Sequence, residues 1–312
     1  MGQGAKAAFK VQGRKESEAD KGIDTGVSEC QWCDVIYGAI YMMKLLIPDT
    51  NTQIAAGVIS RRWPVTIKNY WFGQRPELYA MPDIARLHSL PYPVAGARNK
   101  EAWTLLNDLS GTDTDIMAQL SKDTRKQIRR AEREGITSER LDPRYPSVLN
   151  EFALFWGQFV ESKKEVRTVL DVSVQLHMLQ RMAKASILEV SRAVSYDGTP
   201  IVYHVLIVSG YRARVHHSAS LFRESQHSSQ RHYLGWANRL LHYNNMHYYQ
   251  QKGYKQYDFG GWYAGKDNES LLRINQFKEE FGGKVNREYD VMLGCSLLGQ
   301  LVLKIYNWLR KM

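Results

Sequence analysis

ILEVSRAVSYDGTPIVYHVLIVSGYRARVHHSAS, residues 187–220, is where the chain changes period. Before it, EFALFWGQFVESKK (151–164) and VSVQLHMLQRMAK (172–184) space their apolar residues as amphipathic helices do. From Ile187 onward β-branched and aromatic residues take over, in three strand-like runs with turn signals at Asp197-Gly198 and near Gly210. A helix over 232–252, stopped by Gly253, comes next. YKQYDFGGW (254–262) then reads as a short strand ending in glycines, LLRINQFKEEFGG (271–283) as a helix, and a last strand follows. Helix, helix, strands, helix, strand, helix, strand predicts an α+β fold, with helices layered on a mixed, mostly antiparallel sheet. The adjacent His216 and His217 fall on opposite faces of a regular strand, and His242 and His247 are an imperfect helical pair. With no HExxH motif either, the histidines are read as ordinary polar positions rather than metal ligands.

Toward the N-terminus the signals are strand-like. Residues 1–28 are rich in Gly, Lys, Glu, Ser and Asp and predict a flexible tail. Strands are expected in the apolar run 37–47, in AAGVIS around Ala55, in VTIKNYWF (65–72) and in EAWTLLNDLS (101–110). The last leads to a helix start at Ser110 or Asp113, and DTDIMAQL forms that helix.

LSKDTRKQIRRAEREGI (120–136) is a second helix with an unusual face. Lys122, Arg125, Lys126, Arg129, Arg130 and Arg133 follow i, i+3, i+4, i+7, i+8, i+11. At 100° per residue they occupy roughly 140° of arc, opposite Leu120, Ile128 and Ala131. Ser121 is placed to cap the start and Gly135 the end. Like charges at this spacing repel by a few tenths of a kcal/mol, so a one-sign stripe is better tolerated with an anion upon it. Arginine forks make phosphate the natural ligand; a plain solvated face is the other reading.

Over 312 residues the net charge is +10 and the pI near 9.4, which favours a nucleic acid, nucleotide or lipid-headgroup partner. Three cysteines, of which Cys30 and Cys33 form a single CxxC, make neither a disulfide framework nor a zinc site. With no secretory signal read at the start, a cytoplasmic protein is expected. LLGQLVLKIYNWLRKM (297–312) is broken by Gln300, Lys304 and Asn307, too short a run to span a bilayer. It is expected to pack on the core, with peripheral membrane contact as the other reading.

Three blocks resemble the FemABX family, GNAT-superfamily enzymes that move amino acids from aminoacyl-tRNA onto peptidoglycan precursors. In the first, Asp108 and Leu109 are followed by Lys122, Thr124, Arg125, Ile128, Arg129 and Ala131. The second carries Ala237, Asn238, Leu241, His242, Gly253, Tyr257, Asp258, Phe259, Gly260 and Gly261. The third is Phe277, Lys278, Phe281, Gly282 and Gly283. Together they span residues 103–284, a little over half the chain. Relatives sharing this C-terminal half also resemble acyltransferases of polysaccharide assembly. Family enzymes commonly carry two GNAT-like subdomains, some with a coiled-coil arm; here the first is reduced and no arm is seen.

The resemblance implies a GNAT-like α+β fold: tail 1–28, a reduced N-terminal GNAT-like subdomain 29–146 ending in the basic helix, a C-terminal catalytic domain 147–290, and a final helix 291–312. It implies transfer of an aminoacyl or acyl group to an amine of a cell-envelope or polysaccharide precursor. No cofactor is expected to be tightly bound; aminoacyl-tRNA or acyl-CoA is the co-substrate. Lys278, beside Phe277, becomes a positive group near the reacting carbonyl or a phosphate; without the family it reads as an exposed helix lysine. Asp258 is either a proton acceptor for the attacking amine or a turn carboxylate before Gly260-Gly261. Lys122, Arg125, Lys126, Arg129, Arg130, Arg231, Asn238 and Tyr257 are the expected substrate and phosphate contacts. His232-x-x-Gly235-x-Ala237 keeps two positions of the Arg/Gln-x-x-Gly-x-Gly/Ala loop that cradles pyrophosphate in acetyl-CoA enzymes, with Arg231 supplying the charge. A non-catalytic RNA- or anion-binding protein on the same fold is the reading from another class.

Overall fold

Among the described residues ten strands join in one sheet, in the order β1-β2-β3-β10-β4-β9-β8-β7-β6-β5. They are β1 (Val58–Arg62), β2 (Val65–Trp71), β3 (Ile84–Leu90), β4 (Arg98–Asp108), β5 (Thr137–Leu141), β6 (Leu188–Val194), β7 (Pro200–Ser209), β8 (Arg212–Ser220), β9 (Gln256–Gly261) and β10 (Lys284–Gly294). The helices are α1 (Asp113–Gln119), α2 (Lys122–Arg133), α3 (Pro146–Glu161), α4 (Val172–Lys184), α5 (Ser228–Gln251), α6 (Glu269–Glu279) and α7 (Leu297–Leu309). This computed structural model describes residues 58–62, 65–72, 82–161, 172–209, 211–221 and 227–309. The expected tail 1–28, the strand expected at 37–47, and Cys30 and Cys33 lie outside the described residues.

All neighbouring strands pair antiparallel except β2 with β3 and β8 with β9. The architecture is therefore the mixed, mostly antiparallel sheet with flanking helices that the change of period implied. β10 and β4, both 11 residues long, connect the strands of the N-terminal part to β9 and the meander β8-β7-β6-β5.

Strand alternation divides the core in two. Ala213, Val215, Tyr257 and Phe259 face a cluster built with α1, α2, α5 and α6, through Ile116, Ile128, Leu240 and Phe281. Tyr203, Val205, Ile207 and Ala219 face α3 and α4, through Phe152, Trp156, Leu179 and Met182. β8 thus changes sides between Val215 and Ala219, although both are odd positions. The cause is a bulge: Val205 pairs with His217 but Leu206 with Val215, which leaves His216 as an extra residue. His216 and His217 consequently point to the same side, with ring centroids 4.3 Å apart, and not to the opposite faces expected of a regular strand.

The local signals explain the helix ends. Thr112 and Asp115 form a capping box on α1. Ser121 caps α2 by accepting from the Thr124 amide at 3.1 Å, and Gly135 follows the helix at φ +72°. α5 starts at Ser228, a turn earlier than the sequence suggested. α7 packs only one side on the core, burying Gly299 and Leu303, while Leu297, Leu301, Ile305 and Trp308 stay exposed.

Candidate functional site

The basic stripe meets a second set of nitrogen-bearing side chains. Lys126, Arg130 and Arg133 of α2 face Arg231, His232 and Arg239 from the first turns of α5, across a groove of about 600 Å³. Asp123 is the only carboxylate among the residues lining it. Arg130 is partly committed, to Glu134 at 2.5 Å and to the Trp236 ring at 5.4 Å. Arg129 stands on the outer side of α2 with Lys126 and Arg133, and Lys122 is exposed but outside the groove.

Arg239 connects the groove to α6. Its guanidinium donates to Glu280 at 2.5 Å and lies over the Phe277 ring at 4.8 Å. The neighbouring residue, Lys278, turns its ammonium to the end of β9, donating to the Gly260 carbonyl at 3.2 Å and to the Gly261 carbonyl. Burial lowers the Lys278 amine to about 8; Asp258 pulls it up and Arg214 pushes it down. At neutral pH it is still mostly a cation. The β9 end is shaped by glycine. Gly260 has φ +70°, and a Cβ there would lie 2.8 Å from the Val215 carbonyl oxygen. Gly282, at φ +77°, similarly abuts the Gln119 carbonyl, where a Cβ would come to 2.6 Å.

β8 and β9 are paired over three residues only, ending at Arg214 with Asp258. Under this short parallel pairing sits a buried ion-pair set. Asp258 is fully buried and accepts from Arg212, from Thr104 and, at 2.7 Å, from the Gly260 amide. Arg212 also donates to Glu288 at 2.6 Å, and Arg214 approaches both carboxylates at 3.6 and 3.7 Å. Burial pushes the Asp258 carboxyl up, but Arg214, Arg212 and Thr104 outweigh it and hold it below the usual range.

Several sequence-derived positions are therefore reassigned. Asp258 has no exposed surface and both oxygens committed, so it braces the strand ends and does not meet an acceptor amine. Tyr257 is fully buried, its hydroxyl 2.9 Å from His242 Nδ1. Asn238 turns its amide oxygen to His204 Nε2 at 2.8 Å. Arg125 donates to the Leu120 carbonyl at 2.5 Å, fastening the end of α1 and not the groove. Lys126, Arg130 and Arg231 are brought together in one groove, and Phe277, next to Lys278, lies against Arg239.

Sequence reading missed Arg239 as a link, though it adjoins Asn238, and missed a polar cavity on the opposite face of the sheet. That cavity, about 470 Å³, is lined by His88, Arg214, His216, His217 and Asp290 among others. These five residues come from β3, β8 and β10, with more than seventy positions between one strand's contribution and the next, and no local motif joins them. Among the described residues no group of His, Cys, Asp and Glu is arranged to hold a metal.

The solved structure of FemX superposes with a TM-score of 0.55 at 13% identity, covering 77% of this chain and 84% of that chain. L-PGS from Bacillus licheniformis gives a TM-score of 0.45 at 14% identity, covering 70% of this chain and 71% of that one. A conserved protein from Bacteroides thetaiotaomicron gives 0.46 at 10% identity, covering 84% and 91%. No family model matches the chain, and no curated protein matches it. The chain shares the fold of FemX, and at this identity the likeness is one of fold.

Proposed function

We propose that the protein is a FemX-like, GNAT-type acyltransferase that joins an aminoacyl or acyl group to an amine of a cell-envelope or polysaccharide precursor. The observation that carries this reading is Arg239. It lines the cationic groove and touches Phe277, next to Lys278, so a donor anchored by phosphate in the groove extends toward the ammonium at the end of β9.

The chemistry follows from those positions. The acceptor amine attacks the acyl carbonyl carbon, and negative charge develops on the carbonyl oxygen. Lys278, fixed by two backbone carbonyls, supplies a preorganised cation for that charge. The groove holds the donor, aminoacyl-tRNA or acyl-CoA, so that attack is effectively intramolecular. Such donors belong to the cytoplasm, and no helix among the described residues is long and apolar enough to cross a membrane. Residues 29–146 form the reduced N-terminal subdomain in this reading and 147–290 the catalytic one.

The test is transfer from a panel of charged tRNAs and acyl-CoAs to primary-amine acceptors, followed by mass spectrometry of the product. Turnover with one donor class supports the reading and assigns the donor. Retention of tRNA or CoA without any product turns it toward a non-catalytic anion-binding protein.

A further inference from the structure

Three independent features meet in the 470 Å³ cavity on the α3–α4 side of the sheet. The first is the β8 bulge, which aims two consecutive histidines into it. Bulges re-aim side chains beside active sites. The second is backbone strain in the facing strand. Ser89 is not glycine yet has φ +61°, and it is held there by Arg214, which donates to its hydroxyl at 2.5 Å, and by Asp290, which accepts from its amide at 3.3 Å. Such outliers persist only where the surroundings over-determine them, and they cluster at functional sites. The third is a polar array with a fixed geometry. His88 lies between Asp290 Oδ1 at 3.3 Å and Asn69 Oδ1 at 3.2 Å, and its ring stacks on Trp71 at 5.1 Å.

Within this array His216 differs from the rest. His217 is packed against Trp156, ring to ring at 4.6 Å, and His88 has both ring nitrogens occupied. His216 is exposed to the cavity, and no hydrogen bond to either of its nitrogens is found among the described residues. Although its ring opens to the cavity, desolvation by the protein packed around it lowers its pKa, and His217, Arg214 and His88 act in the same direction. The charged and titratable groups lining this cavity are Arg86 and His88 from β3, Asp290 from β10, and Arg214 and His217 from β8; α4 contributes none.

The cavity is one layer from Lys278. Gly260 accepts from Lys278 on one side and abuts Val215 and Arg214 on the other, and Arg214 lines the cavity. The donor groove and Lys278 belong to the α2–α5–α6 side, the histidines to the opposite side, and β8 ceases to pair with β9 between them.

We propose that this cavity is the acceptor site and that His216 accepts the proton from the attacking amine. The inference rests on the acyl-transfer reading. As the acceptor nitrogen forms its bond to the acyl carbon, His216 takes the N–H proton on its open nitrogen. The bond from the acyl carbon to the donor's ester oxygen or thioester sulfur breaks, its electron pair leaves on that atom, and the proton is returned there, regenerating the neutral imidazole. An amine reaching this cavity arrives from the face opposite the donor, so neither substrate needs to pass the other.

Two measurements test it separately from the acyl-transfer reading. In the first, the unmodified protein is treated with diethyl pyrocarbonate at about pH 5.5, where an ordinary histidine is mostly protonated and unreactive. Peptide mapping is expected to show His216 modified faster than the exposed His232. Glucosamine, glycylglycine or phosphoethanolamine should slow that modification. This arm needs no donor and no turnover. An unreactive His216, or failure of all three amines to protect it, overturns the proposal. In the second, His216→Gln is assayed with whichever donor the wild-type protein uses. Turnover should fall on the order of 100-fold with little change in the KM for donor. Wild-type turnover in that variant overturns the role of His216 and leaves acyl transfer standing. A wild-type protein inactive with every donor, yet labelled and protected at His216, overturns acyl transfer instead and with it the proton-accepting step.

Discussion

Arg212 grips Asp258 across the β8–β9 pairing through Nε at 3.0 Å and Nη2 at 2.5 Å, and its other edge holds Glu288 on β10. β9 and β10 are not neighbours; β4 runs between them. One guanidinium therefore ties β8 to β9 and, past β4, to β10. Removing one partner of a buried pair leaves an uncompensated charge. Asp258→Asn should cost about 3 kcal/mol or more of stability by chemical denaturation. A variant as stable as the parent would show that Asp258 is not the brace described above.

Lys278 makes a pH prediction with a definite sign. Its amine is lowered to about 8, so the cation is present below that pH and lost above it. Turnover that depends on the cation should be flat near neutrality and fall as pH rises through about 8. Lys278→Arg stays charged and should carry activity to higher pH, while Lys278→Ala should lose tenfold or more near neutrality and converge on the parent above about pH 8, where the parent has lost its cation as well. A pH–rate profile for the three proteins decides it; a rise in activity above that pH would mean the neutral amine is the working form.

Most strands of the sheet, the helices packed on it and the basic groove's α2 wall were legible because each rests on local period. Thr112, Ser121 and Gly135 mark helix ends by their own chemistry, and the stripe from Lys122 to Arg133 announces its face by spacing alone. β5, Thr137–Leu141, was not legible: TSERL is a polar edge strand with almost no apolar alternation. β3 was missed for a related reason, since Arg86, His88 and Ser89 interrupt its apolar positions to line the cavity or hold Arg214. The bulge at His216 has no residue-type signature, because it arises from register between β7 and β8. Tyr257 was read as a substrate contact, and Asp258 as either a proton acceptor or a turn carboxylate, because family motifs record position, not exposure; both side chains are fully buried.

The groove gives a salt-dependent prediction. Lys126 and Arg133 line it and are exposed, and neither carries packing that substitution would remove. Lys126→Glu with Arg133→Glu should weaken binding of labelled tRNA at least tenfold, and should lower the slope of log affinity against log salt by about 2. Fluorescence anisotropy over a salt series measures both. Equal slopes for variant and parent would remove these two side chains from any phosphate contact.

His204 supplies the last prediction, through a chain of fixed donors. Arg140 can only donate, so Asn245 presents its oxygen to Arg140 at 2.9 Å and its amide nitrogen to His204 Nδ1 at 3.1 Å. Nδ1 must then be an acceptor, which puts the ring hydrogen on Nε2, facing the Asn238 oxygen at 2.8 Å. The ring is neutral and satisfied on both sides, with no place for a second proton. Burial accordingly lowers it from 6.5 to about 4, against a small upward pull from Asn238. The unfolded chain binds a proton below its ordinary pKa that the folded chain refuses. Stability is therefore complete above about 6.5 and drains away as pH falls toward about 4. This one residue contributes on the order of 3 kcal/mol over that range, and His217, also lowered to about 4, acts in the same direction. Urea denaturation at stepped pH should show a steep acid-side loss in the parent. His204→Gln should start less stable at neutral pH yet lose less on acidification, because it has no proton to refuse. Parallel pH profiles for the two proteins would mean that His204 is not held in the neutral form by its neighbours.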